Sequence, residues 1–130
     1  MTSGVKLQLL VDAVMRSPVA TIEPTASLRE ASRALRDRQI GTLAVVDNSG
    51  VLGIISERDV VRALADGADA DQVPVGSVMS RDPRYLTAGE HVEAAVDVML
   101  TVGIRHLPVF EEGELIGMVS VRDLVASLRS

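Results

Sequence analysis

The order of apolar and polar positions along this chain repeats itself. Sliding the sequence by 64 places sets Val14–Leu64 on Val78–Leu128 without a gap. Identical pairs include Met15/Met79, Ala31/Ala95, Ile40/Ile104, Leu43/Leu107, Val45/Val109, Gly53/Gly117, Ser56/Ser120, Arg58/Arg122, Asp59/Asp123 and Leu64/Leu128. Others pair apolar with apolar, as in Ile22/Leu86, Leu28/Val92, Leu35/Met99 and Ile55/Val119. Self-similarity at a fixed spacing marks two copies of one structural unit.

Within each copy the hydrophobic period changes in the same order. A turn with proline (Ser17-Pro18, Asp82-Pro83) leads into a short extended piece ending at Ile22 or Leu86. Helical spacing follows, with Leu28, Ala31 and Leu35 in one copy and Val92, Ala95, Val96 and Met99 in the other; Ser27 and His91 mark the starts. Strands are predicted over Thr42–Val46 and His106–Phe110, then hairpin turns at 47–50 and 111–114. Further strands, Val51–Ile55 and Leu115–Val119, run into final helices at Asp59–Ala65 and Asp123–Ser127. Each copy thus reads β-α-β-β-α. The fold class is α+β, an α/β sandwich of two repeats about a pseudo-twofold axis.

Leu7, Leu10, Val11 and Val14 predict a short amphipathic helix ahead of the first copy. The organisation expected is a helical segment over 1–13, a copy over 14–65, a linker over 66–77 and a copy over 78–130. The linker reading rests on its small, acidic composition with Gly67 and Pro74. One copy alone buries too little apolar surface to be stable, so the two are expected to share one core.

Composition then narrows the chemistry. The absence of cysteine among 130 residues excludes a disulfide scaffold and a thiolate site. With 13 basic and 18 acidic residues the net charge is −5, which opposes a nucleic-acid partner. Tyr85 and Phe110 are the only aromatic residues, too few for a base-stacking platform. Apolar runs are far shorter than the ~20 residues of a membrane span, and the N-terminus does not read as a secretory signal, so a cytoplasmic location is expected. No arrangement of nucleophile and base, and no spacing of metal ligands, points to an enzyme or a metal site; His91 reads as a solvated residue near a helix start.

Ser56-Glu57-Arg58-Asp59 and Ser120-Val121-Arg122-Asp123 occupy matched places where a strand meets a helix. Two readings fit them. Serine with a carboxylate three residues on approximates a capping box. The same groups suit a ligand, since a helix start and a Ser hydroxyl can donate to a phosphate while the Asp carboxylate accepts from two ribose hydroxyls. Arg105 and His106 lie 15 and 14 residues before Ser120, across one hairpin, and pair a guanidinium fork with a titratable donor. In the first copy Gly41 and Thr42 stand there instead, without positive charge, and Glu57 adds repulsion, so the two sites are not expected to be equivalent.

The doubled pattern V-M-x…P, I-x-x-L-x-V and G-h-h-S-x-R-D resembles a tandem CBS-domain pair (a Bateman module), over essentially the whole chain from Val11 to Leu128, as in stand-alone CBS-domain proteins. The resemblance implies adenosine-type ligands such as AMP, ADP, ATP, NAD or S-adenosylmethionine, bound in clefts between the repeats, with magnesium arriving only with a nucleotide. It implies a homodimer, signalling to a regulated protein partner, and no catalysis. For the favoured cleft it implies Ser120, Asp123, Arg105, His106 and Arg122, with Ala20, Thr21, Ile22, Ile40 and Gly41 flanking the base. For the second cleft it implies Ser56, Asp59 and Arg58, with Arg84, Tyr85, Leu86 and Ile104. Ile40 and Ile104, with Met15 and Met79, read equally well as core. The alternative is a dimerisation or docking module with no nucleotide site in use, its interface formed by Val60, Val61, Leu64, Leu124, Val125 and Leu128 on the final helices.

Overall fold

The computed structural model describes residues 9–129. Its chain divides into two compact units. The first-copy unit is Ala20–Pro83; the second-copy unit joins Arg84–Ser130 to the leading residues up to Val19. Among the described residues four helices and six strands follow the predicted order, and a seventh strand, β4, is added ahead of β5: β1 (Thr21–Ile22), α1 (Leu28–Arg38), β2 (Thr42–Asp47), β3 (Gly50–Ser56), α2 (Glu57–Ala65), β4 (Ser80–Arg81), β5 (Leu86–Thr87), α3 (Val92–Val102), β6 (His106–Glu111), β7 (Glu114–Ser120) and α4 (Val121–Ser127).

In each unit a two-residue strand lies parallel to the first strand of a hairpin, Thr21 opposite Ala44 and Leu86 opposite Val109. The hairpins β2–β3 and β6–β7 are antiparallel, and both carry an irregularity at the matched steps Val45/Val46 and Val109/Phe110. Glu112 and Gly113 take φ values of 50° and 82° in the second turn, the left-handed pair that suits a tight hairpin. In the first, the Asp47 carboxylate accepts from the Ser49 N–H at 2.8 Å and from its hydroxyl at 2.6 Å. Those bonds hold the Asp47 carboxyl below its ordinary value, the hydroxyl foremost.

The buried side chains form two clusters, one per unit, where the sequence predicts a single shared core. Leu28, Ala31, Leu35, Leu43, Val45, Ile55, Val60, Val75 and Met79 fill one. Val92, Ala95, Met99, Leu107, Val109, Val119 and Leu124, at the matched positions, fill the other with Val11 and Leu86. Each hairpin closes over its own two helices, and the residues before a copy complete the other unit's core.

That exchange extends the 64-residue equivalence back to residue 9. Val11 and Val75 are both fully buried, each opening a single 3₁₀ turn (Val11–Ala13 and Val75–Ser77). The Val11 N–H donates to the Glu90 carbonyl at 2.8 Å, and the Val75 N–H to the Ala26 carbonyl at 2.7 Å. Val92 N–H donates to the Leu9 carbonyl (2.7 Å) as Leu28 N–H does to that of Val73 (3.1 Å). Residues 73–77 are therefore packed structure and not a free tether. The amphipathic helix expected around Leu10 and Val11 is this one turn; Leu7 lies outside the described residues.

Candidate functional site

Ser56 and Ser120 end their strands in extended conformation and cap α2 and α4. The Ser120 hydroxyl accepts from the Asp123 N–H at 3.0 Å, and Asp123 Oδ2 accepts from the Ser120 N–H at 3.0 Å. Ser56 and Asp59 repeat the arrangement at 3.1 and 2.9 Å. The capping box read from the spacing is thus formed in both copies, satisfying backbone donors that a helix start leaves unpaired. It leaves chemistry to spare: each hydroxyl keeps its proton to donate, and each carboxylate keeps further lone pairs.

The hairpins return the second candidate group to the same place. His106 lies opposite Ser120 in the β6–β7 register, and the Arg105 carbonyl accepts from the Val121 N–H at 2.9 Å. In the first-copy unit Thr42 lies opposite Ser56, and the Gly41 carbonyl accepts from the Glu57 N–H at 3.0 Å. The 14- and 15-residue separations are closed as expected. Arg105 and Arg122 are exposed, His106 is half-buried, and Thr42 is buried at 5%. The two sites differ in residue type accordingly: the second copy has Arg105, His106 and Arg122 at the strand and helix ends that carry Ser120 and Asp123, whereas the first has Arg58 between Glu57 and Asp59, with Gly41 and Thr42 in place of the other two.

One member of the second-copy site escapes a reading of the sequence. Arg16 Nε donates to Asp123 Oδ1 at 3.2 Å. Its backbone is fixed by reciprocal bonds with Met118, 2.8 Å from the Arg16 N–H and 3.0 Å back to its carbonyl. The available signal was the repeat itself, since the position matched to Arg16 is Ser80, paired with Ile54 as Arg16 is with Met118.

The remaining candidates fall as follows. Ala20, Thr21, Ile22, Ile40 and Gly41 belong to the first-copy unit with Ser56, Arg58 and Asp59; Arg84, Tyr85, Leu86 and Ile104 belong to the second-copy unit with Ser120 and Asp123. Ala20, Ile22 and Ile40 are half-buried against the first-copy core, and Thr21 is exposed. The Ala20 carbonyl accepts from the Ala44 N–H at 3.0 Å, and the Ile40 N–H donates to the Leu35 carbonyl at 3.1 Å. Leu86 is 1% exposed and its side chain is core, so only its main chain is left for a ligand. Ile104 and Met15 pack on the same core, and Met79 is buried in the other. Arg84 and Tyr85 are exposed, the Tyr85 ring meeting Phe110 edge-on at 5.5 Å.

Val60 and Leu124, expected on an outer face, are core residues at 5% exposure. Two-turn helices leave the buried face ambiguous in sequence, and here it includes these two. Val61, Leu64, Val125 and Leu128 are the exposed ones. Among the described residues no cluster of three His, Asp or Glu is placed to hold a metal, and no helix is long and apolar enough to cross a membrane.

A family model for the CBS domain matches residues 11–66 and 75–130. An uncharacterized 17.7 kDa protein of Acidianus ambivalens is 38% identical over 120 residues, covering 91% of this chain and 72% of that protein. The protein MJ1225 of Methanocaldococcus jannaschii is 32% identical over 121 residues, 92% of this chain but 43% of its own length. The solved CBS domain protein PAE2072 from Pyrobaculum aerophilum, complexed with AMP, superposes with a TM-score of 0.81 at 27% identity, covering 88% of this chain and 89% of that one.

Proposed function

We propose, from the premise that this chain belongs to the CBS-domain family and carries two of its repeats, that the protein is a regulatory module sensing an adenosine-type nucleotide. One observation carries the reading. In the second-copy unit the hairpin register sets His106 opposite Ser120, and the Arg105 carbonyl accepts from the Val121 N–H, so the residues that carry an imidazole and a guanidinium enter β6 next to the strand end that holds the Ser120–Asp123 box. Cationic donors suit phosphate oxygens, and the carboxylate suits the hydroxyls of a ribose. The AMP bound by PAE2072, a relative at 27% identity, supports the same ligand class. Ser120, Asp123, Arg105, His106 and Arg122 are the contacts proposed for the charged half of the ligand. Ser56, Arg58 and Asp59, lacking the partner cations, are proposed for a less charged adenosine compound. Magnesium enters with the nucleotide, and the module acts in the cytoplasm on a partner protein, without catalysis of its own.

Thermal unfolding with AMP, ADP, ATP, NAD and S-adenosylmethionine tests this. A ligand at 100 times its Kd adds about 2.7 kcal/mol of stability. No shift with any of the five, and an unchanged profile for Asp123→Ala, overturns the reading.

A second reading has its own observation. The capping boxes account for Ser56, Asp59, Ser120 and Asp123 without a ligand, and Val61 and Leu64 on α2, Val125 on α4 and Leu128 at its C-terminal end present exposed apolar side chains at matched positions. A dimerisation or docking module fits these facts. Sedimentation decides: a homodimer indifferent to nucleotide favours this reading, and one whose assembly changes with nucleotide favours the first.

A further inference from the structure

The two capping carboxylates are not in the same state. Asp59 spends Oδ2 on the Ser56 N–H and, among the described residues, makes no ion pair. Asp123 spends Oδ2 on the Ser120 N–H and Oδ1 on Arg16. Its side chain is 12% exposed, whereas that of Arg16 is 52% exposed. The carboxylate is therefore mostly covered, whereas the side chain of its cationic partner is about half in water.

The leading segment holds Arg16 there by more than this contact. Arg16 exchanges both backbone hydrogen bonds with Met118, Ser17 donates its hydroxyl to the Ile116 carbonyl at 2.8 Å, and Val11 is buried in the core. In the first-copy unit the residue in the same register is Ser80, opposite Ile54, and it brings no cation.

We propose that Arg16 is a latch on Asp123: a ligand that hydrogen-bonds through a vicinal diol gains this carboxylate by displacing the guanidinium, so the protein's own leading segment competes with ligand in the second-copy unit. The first-copy unit, with Ser80 in that place, carries no such competitor. The proposal rests on the reading of Ser120 and Asp123 as a ligand site. It makes ligand uptake and release of Arg16 two sides of one equilibrium, so occupancy is passed to the leading segment that carries Arg16. An ion pair whose guanidinium side is about half in water holds its partners weakly, which makes displacement by a ligand feasible.

Adenosine is the probe that tests it, because it carries the diol without a phosphate that Arg16 itself would attract. Titration calorimetry on the full chain compares the unmodified protein with Arg16→Ala, Arg16→Gln and Ser80→Arg. Losing an exposed ion pair is expected to tighten adenosine binding about two- to five-fold in both Arg16 variants. Arg16→Gln retains most of the side-chain stem, so agreement between the two variants separates the latch from a packing defect. Ser80→Arg is expected to weaken binding at the first-copy site. Unchanged or weaker binding in Arg16→Gln, with the unmodified protein binding adenosine, overturns the latch alone. Binding of adenosine by none of the four proteins overturns the latch; if AMP also fails to bind the unmodified protein, the ligand reading falls with it.

Discussion

The carbonyl oxygen of Ser80 lies over the Cα of Gly53, where a side chain would have to stand. Its counterpart in the other unit is different in kind, for Gly117 is covered by the side chain of Met15. Both glycines, at matched places inside β3 and β7, permit a close approach, but only one faces backbone.

Gly53→Ala and Gly117→Ala should therefore differ in cost. The Ser80 carbonyl cannot yield without breaking the pairing of β3 with β4, whereas the Met15 side chain can change rotamer. Overpacking a tight site costs about 1–3 kcal/mol. Gly53→Ala is expected in the upper part of that range and Gly117→Ala in the lower, by urea denaturation. A Gly117 variant as destabilised as the Gly53 variant contradicts the distinction.

Val11 and Val75 carry a second prediction. Each is fully buried in a 3₁₀ turn that precedes the β-α-β-β-α elements of a copy. Truncation to alanine removes buried methyl groups and should cost about 1–3 kcal/mol at either position. Leu10→Ala, at a residue 40% exposed, serves as the control and should cost less than about 0.5 kcal/mol. Equal midpoints for Val11→Ala and the unmodified protein would mean that the leading segment does not support the second-copy unit.

These valines mark where a sequence stops being readable. Matching Val45 to Val109 and Leu28 to Val92 revealed the helices and hairpins, because their burial follows local period. The capping boxes were legible too, being set by residues three apart. Val11 and Val75 match at the same spacing, yet one reads as part of an amphipathic helix and the other as linker, because a three-residue turn has no period of its own to recognise. Which unit such a turn joins depends on the chain's path, and an exchange of leading segments leaves the repeat pattern unaltered. The Arg16–Asp123 pair follows from that path across 107 positions, so nothing local announces it. Val60 and Leu124 illustrate the same limit on a smaller scale, since seven to nine helical residues do not define one buried stripe.

Asp71 supplies a prediction in pH. Arg29 Nε and Nη2 donate to its two oxygens, at 2.5 and 3.1 Å, pinning residues 69–71 to the start of α1. The Arg29 hydrogen bonds foremost, and then its charge, hold the Asp71 carboxyl below the ordinary aspartate value. A carboxyl depressed in the folded state stabilises above the ordinary value, and that contribution is lost as pH falls through the folded value. Asp71→Asn should thus be less stable than the unmodified protein at neutral pH, with the gap closing in acid. Urea midpoints at pH 7 and at about pH 2.5 measure it. A gap of the same size at both would assign the effect to something other than the carboxylate charge.

Arg105 separates the phosphate from the rest of a nucleotide. It is exposed at the start of β6, so Arg105→Ala should leave stability within about 0.5 kcal/mol. Among the described residues its carbonyl accepts from the Val121 N–H, and alanine keeps that bond. If the guanidinium meets a phosphate, AMP affinity should fall roughly ten-fold or more, the scale of a hydrogen bond to a charged group. Adenosine has no phosphate, and its affinity should not change. The ratio of the two dissociation constants, by calorimetry on one preparation, isolates the charge contact from any general damage to the site. A parallel loss for both ligands would place Arg105 away from the phosphate and leave His106 and Arg122 as the groups that receive it.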